Sequence, residues 1–471
     1  MAIAPVRVRF APSPTGELHL GGARTALFNY LFSRKNNGKF FLRIEDTDTA
    51  RSKDIFIDQI IESLTSFGIK WDEPVIYQSK RFNDYRSFAE ILVKNNKAYP
   101  CFCSKELIQK DREKGYYKYK GTCRELSKNE IKANFNQGRS FVYRFKTPIG
   151  TTEFNDMVYG SCIIDNDELD DFIIIRSDGS PTYNLSAVVD DHILAISHVI
   201  RGEDHLSNTS KQILLYDALS LNIPIFAHLP MILGSDKKRL SKRHGALGMQ
   251  TFLNKGYLPS ALMNYLALLG WNPGTKDEFF NIEELISKFS FDKIQKKPAV
   301  WDEKKLEWIS SQHIIKESSI KILNVIKSIY PEWGVMKNDT FNLKVIDLMK
   351  LRVSSLGELN KYSQGFYNDP NKFSHEDEKK AWPTIASKHL VEKVLNILSP
   401  ISDWSASTIE KDIKNFSKNE NISFGKVIMP LRLAVFGSLK GPSLFEMFEL
   451  IKKDAVLRRM SFAIKKISIE N

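Results

Sequence analysis

The strongest constraint on this chain lies in its first fifty residues. Val6, Val8 and Phe10 alternate with Arg7 and Arg9, which is the period of a half-buried strand. A proline- and glycine-rich loop runs from Pro12 to Gly22, and Ala23, Ala26, Leu27, Tyr30 and Leu31 then recur at helical spacing. Phe40, Leu42 and Ile44 supply a second strand. Two strands joined by a helix make a right-handed parallel unit, the building block of a doubly wound nucleotide-binding sheet. The expected fold class is therefore α/β, with a Rossmann-type parallel sheet.

A chain of 471 residues is too long for one ordinary core, so two to four domains are expected. Lys and Arg outnumber Asp and Glu by 68 to 56, and the net charge of +12 makes a polyanionic partner plausible without proving one. No apolar run approaches the roughly 18 residues of a membrane span. Residues Met1 to Phe10 lack an apolar signal core with a cleavage site, so a cytoplasmic location and no membrane partner are expected. Of four cysteines, Cys101, Cys103 and Cys123 crowd into one stretch, which in a reducing compartment suggests metal or packing before disulfides. Cys162 reads as a core residue in a strand.

From about Tyr99 to Ser180 the texture changes, with a charged helical segment near Lys105 to Gly115 and strand-like runs at Phe141 to Phe145 and Phe172 to Ile175. This reads as an insertion. The sheet is expected to resume with Thr182 to Asp190 and Ala195 to Ile200, followed by helical spacing in Gln212 to Leu219. Beyond Gly248 helical patterns take over, as in Pro259 to Leu269, Ile282 to Phe289, Ala386 to Leu398 and Leu444 to Lys453. The carboxyl-terminal third is expected to be all helical.

Two segments carry chemistry. The loop Pro12 to Gly22 sits between a strand and a helix start, where unpaired N–H groups and the helix dipole hold an anion best. Gly21 and Gly22 allow close backbone approach, and His19 could donate to a phosphate. Taken alone, His-x-Gly-Gly is more often a proline- and glycine-rich turn with a surface histidine. The cationic segment Arg239-Leu240-Ser241-Lys242-Arg243 could neutralise a leaving pyrophosphate, although a lone basic pentapeptide is usually a solvated charge run. Both in one chain, in this order after recognisable strands, change the inference.

At that point the sequence resembles the class I aminoacyl-tRNA synthetases, and specifically the bacterial-type glutamyl-tRNA synthetases. Pro12 to Gly22 is similar to the family's HIGH motif, with His19 at its first histidine and Gly22 replacing its second. Arg239 to Arg243 is similar to the KMSKS motif, with Lys242 as the catalytic lysine and Arg239 where the family usually has lysine. Arginine keeps the charge but favours planar bidentate contacts. The resemblance extends through Leu42 to Asp48, Asp178 to Asn184, Val189 to His192, Val199 to His205, Asn264 to Leu266, Lys305 to Trp308 and Gly425 to Val427, essentially the full length.

The resemblance implies a ligase that forms a glutamyl-adenylate from L-glutamate and ATP with Mg²⁺, then esterifies tRNA(Glu). His19, Gly21, Gly22, Ser241 and Lys242 would serve ATP. Arg9 and Tyr183 would take the substrate's side-chain carboxylate, Arg201 its α-carboxylate and Glu45 its α-ammonium, with Ala11 and Ser13 lining the pocket. Without the resemblance, Arg9 and Glu45 read as a surface ion pair. A non-discriminating enzyme that also charges tRNA(Gln) is the closest alternative. Monomer is the family expectation. The implied domains are 1–98 with 181–248 for catalysis, 99–180 for the acceptor end, a stem-contact helical domain at 249–325 and a helical anticodon-binding domain at 326–471.

Cys101, Cys103 and Cys123 resemble the zinc knuckle of many members, with Tyr119 or Glu125 as fourth Zn²⁺ ligand, against a metal-free remnant. Arg352 is the candidate anticodon reader. Lys452, Lys453, Arg458, Arg459, Lys465 and Lys466 form a basic tail that either meets phosphates or is a solvated face.

Overall fold

The computed structural model describes residues 5–48, 52–113, 118–238, 240 and 248–466. The chain divides into two compact units, residues 1–251 with 263–302, and residues 252–262 with 303–471.

The first unit opens as the apolar periodicity requires: β1 (Arg7–Phe10), α1 (Leu20–Lys35) and β2 (Lys39–Ile44), with β1 and β2 parallel from Arg7 opposite Lys39 to Phe10 opposite Leu42. Helix α2 (Asp54–Ser66), β3 (Ile76–Tyr77) and α3 (Phe82–Lys94) follow. Next come β4 (Ala98–Cys101), α4 (Lys105–Glu113), α5 (Lys128–Asn136), β5 (Val142–Phe145), the hairpin of β6 (Thr151–Asp156) and β7 (Gly160–Asp165), and β8 (Ile173–Ile175). Helix α6 (Tyr183–Ile193), β9 (His198–Gly202), α7 (Leu206–Ala218) and β10 (Ile225–Leu229) return the chain to the parallel sheet.

Hydrogen bonding orders the strands as β1-β2-β3 and as β7-β6-β10-β9, with only β7 antiparallel to its neighbour. The two halves meet where Ser197 N–H donates to Arg7 O at 2.9 Å and Arg7 N–H to Ser197 Oγ at 2.8 Å, which sets β1 beside β9. From β1 the chain builds outward through β2 and β3; from β9 it builds the other way. Such a reversal opens a crevice at the carboxyl ends of the two central strands, the favoured ligand site of open α/β sheets.

Strands β4, β5 and β8 form a separate antiparallel sheet. A two-residue parallel pairing joins β11 (Ile232–Leu233) to β12 (Ala299–Val300). The second unit contains no strand among its described residues. Its helices, from Glu303–Lys316 to Lys453–Lys466, enclose a core with Ile346, Leu356, Leu431, Phe448 and Met460 fully buried. No helix of the described residues is long and apolar enough to cross a membrane.

Three expectations need correction. Thr182 to Asp190 is not a strand: Tyr183–Ile193 is helix α6, and every residue from Leu185 to Asp191 is buried. A run buried all round carries no periodicity that separates helix from strand. Strand β9 starts at His198 rather than Ala195. Cys162 is half-buried on the outermost strand β7, whose residues alternate between half-buried and exposed, so it is not core.

Candidate active site

A cavity of about 690 Å³ lies at the reversal point, lined by Arg9, Ala11, Pro12 and Ser13 from the end of β1, and by His19, Gly21 and Gly22 from the start of α1. Glu45 after β2, Tyr183 at the start of α6, and Arg201 and His205 around the end of β9 complete its walls. Leu240 and Gly248 line the same cavity. Arg239, Ser241, Lys242 and Arg243 lie outside the described residues.

His19 is the N-cap of α1. Its extended backbone (φ −77°, ψ 161°) turns the imidazole back over the first turn, where Nδ1 accepts the Gly22 N–H at 3.1 Å. The ring proton therefore belongs to Nε2. A Cβ on Gly21 would stand 3.1 Å from His19 Nδ1, and one on Gly22 would stand 3.0 Å from Leu18 Cδ1. Gly21 thus leaves room for the histidine ring and Gly22 for the Leu18 side chain. A Cβ on Gly248 would stand 2.3 Å from Glu17 Oε2, and Met249 N–H donates to Leu18 O at 2.9 Å, so the chain after the cationic segment is anchored beside His19.

The floor of the cavity is ionic. Arg9 is 3% exposed and chelates Asp191 through Nε (2.9 Å) and Nη2 (3.2 Å), so it is not a surface partner of Glu45. Arg43, fully buried, donates to Asp191 at 2.6 Å and to Glu45 at 3.0 Å. Burial pushes the Asp191 carboxyl up, but Arg9 and Arg43 together hold it below the usual Asp range. For Glu45 burial wins over Arg43, and its carboxyl is raised. Asp190, one residue before Asp191, accepts from Gln78 at 2.7 Å and from the Tyr85 hydroxyl at 3.0 Å.

Arg201 is 5% exposed and held differently. Nε donates to His228 Nε2 (3.1 Å), Nη1 to Tyr183 Oη (3.1 Å) and Gln212 Oε1 (2.9 Å), and Nη2 to Thr209 Oγ1 (2.8 Å). Among the described residues no carboxylate lies within salt-bridge distance of it. Behind His228, Nδ1 is 2.6 Å from Asp156 Oδ2, and both side chains are fully buried. His205 packs against Tyr183 with ring centroids 5.2 Å apart; burial first and then Arg201 push its imidazole down to about 4, so it is neutral. The residues that sequence reasoning passed over are Asp191, Asp156, His228, Thr209, Gln212 and His205. Asp191 and His205 lay within segments that carry the resemblance, and Asp191 had a further signal, two adjacent acids in an otherwise apolar run, because buried charges require partners.

Residues 5–308 match the family described as tRNA synthetases class I (E and Q), catalytic domain, and residues 312–464 match an anticodon binding domain. The chain belongs to this family of class I synthetases. It is 42% identical to glutamate–tRNA ligase 2 of Caldicellulosiruptor saccharolyticus, over 99% of this chain and 100% of that protein. With the glutamate–tRNA ligase of Carboxydothermus hydrogenoformans the identity is 41%, over 97% and 99%. The crystal structure of a glutamate tRNA ligase from Elizabethkingia meningosepticum, in complex with its amino acid, superposes with a TM-score of 0.87 at 34% identity, covering 98% of this chain and 100% of that one.

Away from the cavity, the synthetase gathers three thiols at the end of β4. The Sγ atoms of Cys101, Cys103 and Cys123 lie within 4.8 Å of one another, Cys103 and Cys123 at 3.6 Å. A tetrahedral site with metal–sulfur bonds of about 2.3 Å has edges of roughly 3.8 Å, so the cluster fits zinc. Tyr119 Oη stands 3.3 Å from Cys101 Sγ and 3.6 Å from Cys103 Sγ, while the Arg144 guanidinium lies 4.0 Å over its ring. Glu125 is turned away: its side chain is 79% exposed and pairs with Lys146 at 3.2 Å.

In the second unit Arg352 is exposed, and burial first and then the charge of Arg352 hold the Arg432 guanidinium below the usual arginine range. The basic tail is partly spent inside the unit. Arg459 is buried and donates to Gly365 O (2.6 Å), Val435 O (3.0 Å) and Asp369 (2.8 Å), Arg458 also pairs with Asp369 (2.8 Å), and Lys453 donates to Ile401 O (2.6 Å). Lys452, Lys465 and Lys466 are exposed.

Proposed function

We propose that this synthetase ligates L-glutamate to tRNA(Glu) through a glutamyl-adenylate, releasing AMP and diphosphate. The observation that carries the reading is a single cavity lined both by the anion-binding turn of His19, Gly21 and Gly22 and by two buried guanidiniums, Arg9 and Arg201, with Glu45 and Tyr183 beside them. A substrate with two carboxylates and one ammonium matches that set. Arg9 and Tyr183 take the side-chain carboxylate, Arg201 the α-carboxylate and Glu45 the ammonium. Ala11 and Ser13 shape the pocket between them.

The α-carboxylate attacks the α-phosphorus of ATP, the bond to pyrophosphate breaks, and the tRNA terminal 2′-hydroxyl then displaces AMP. No protein nucleophile is required, so positioning and charge stabilisation carry the rate. His19 and the first amides of α1 hold ATP phosphates, Mg²⁺ accompanies the nucleotide, and Ser241 and Lys242 serve the departing pyrophosphate. Leu240, two residues before Lys242, and Gly248, six after it, both line the cavity. Zinc, when bound to Cys101, Cys103, Cys123 and Tyr119, supplies a structural crosslink. Arg352 reads the anticodon.

Aminoacylation with purified tRNA(Glu) and tRNA(Gln) tests the reading. Glutamylation of tRNA(Glu) alone is the expected result, glutamylation of both identifies a non-discriminating enzyme, and charging of neither overturns the assignment.

A further inference from the structure

Arg201 can grip a carboxylate only if its planar fork is held in one orientation, because a guanidinium on a three-carbon stem otherwise has several. A carboxylate partner would hold it but would also offset part of its charge, as Asp191, shared with Arg43, does for Arg9. The partners observed are all uncharged: Gln212, Thr209, Tyr183 and the imidazole of His228. Three of them contact the terminal nitrogens. Only His228 takes the Nε proton, which fixes rotation about the end of the side chain.

His228 can accept that proton in one tautomer alone. Asp156 Oδ1 accepts the N–H groups of Val158 and Tyr159, each at 2.9 Å, while Oδ2 faces His228 Nδ1 at 2.6 Å. An acceptor-only carboxylate there puts the ring proton on Nδ1 and leaves the Nε2 lone pair for Arg201. Burial also pushes the imidazole down, which keeps it neutral beside Arg201 and Arg9. A protonated ring, or the opposite tautomer, would set N–H against N–H.

We infer that His228, held in its tautomer by Asp156, is the positioning residue that aims Arg201 at the substrate α-carboxylate while leaving the charge of Arg201 available. The inference rests on the reading of Arg201 as a carboxylate clamp.

The test is glutamate-dependent ATP–pyrophosphate exchange by the full chain with its tRNA present. His228→Met removes the acceptor and is expected to raise KM for glutamate roughly ten- to hundredfold, with KM for ATP unchanged. His228→Gln restores an acceptor near the Nε2 position and is expected to recover most of the loss, a rescue that a purely structural role would not give. Asp156→Asn keeps Oδ1 for the Val158 and Tyr159 amides and, at 3.3 Å, for the His228 amide, but presents N–H to His228 Nδ1, reverses the tautomer, and should behave like His228→Met. Arg201→Lys separates the two claims. If Arg201→Lys raises KM for glutamate while His228→Met does not, or if Gln rescues no better than Met, the positioning role is wrong. If Arg201→Lys leaves KM for glutamate unchanged, the clamp reading itself fails.

Discussion

His19 and Gly21 act as one unit, because the imidazole that caps α1 occupies the space a side chain at residue 21 would need. Gly21→Ala should therefore split stability from activity. Alanine gains up to about 1 kcal/mol of helix stability over glycine, yet its methyl group meets His19 Nδ1 at 3.1 Å and displaces the ring. The expected outcome is an unchanged or higher Tm with ATP–pyrophosphate exchange reduced roughly tenfold or more, read by thermal melting alongside the exchange assay. Asp191 makes the opposite case. Asp191→Asn leaves Arg9 and Arg43 sharing a neutral partner in a buried site, and breaking such a pair costs about 3–5 kcal/mol, measurable by urea titration. The native Asp191 carboxyl is held below its unfolded value, so its contribution is fully present above the usual Asp pKa and disappears as pH falls through the lower folded value. The difference in stability between the native chain and Asp191→Asn should accordingly shrink only in acid, below about pH 4.

Among the elements, what the sequence made legible depended on whether a period survived burial. Strand β1 reads directly from Val6, Val8 and Phe10 alternating with Arg7 and Arg9, although Arg9 is buried together with Val8 and Phe10 and β2 is buried from Phe40 to Ile44. Helix α6 is buried at every residue from Leu185 to Asp191, so its apolar run mimicked a strand, and the acids at its end hid the partner of Arg9. Arg9, Glu45 and Arg201 could be named from motif similarity, but not the hydrogen bonds that hold them, because Asp191, His228 and Asp156 stand up to 182 residues away in the chain. The cysteine knuckle shows the same limit: spacing left Tyr119 and Glu125 as rival ligands, and only folding sets one against the thiols and the other in solvent. Tyr119→Phe should lower zinc retention during dialysis against a weak chelator, whereas Glu125→Gln should hold zinc as the native chain does. Atomic emission on the dialysed proteins reads the result, and equal loss from both variants would return the fourth ligand to solvent.

For the whole molecule, the count of 68 Lys and Arg residues overstates what a polyanion can reach. Several cations are consumed internally, as Arg458 and Arg459 are by Asp369. Arg459→Ala should lower the Tm, since it orphans the Gly365 and Val435 carbonyls at about 1–3 kcal/mol each, while leaving the salt dependence of tRNA binding unaltered. Replacing exposed Lys465 and Lys466 by alanine should do the reverse, with little effect on Tm and a salt slope reduced by up to about 0.9 per lost phosphate contact. Filter binding over a range of salt concentrations, compared with melting curves, separates the two classes of cation.

The β6–β7 hairpin is encoded within the stretch between the two halves of the nucleotide fold, yet β6 pairs with β10, and Asp156 at its tip reaches His228. That stretch is therefore not a detachable cassette. A chimaera that exchanged residues 99–180 for a foreign module would take Asp156 away with it, and the cavity wall built on His228 and Arg201 would need repair in the same operation.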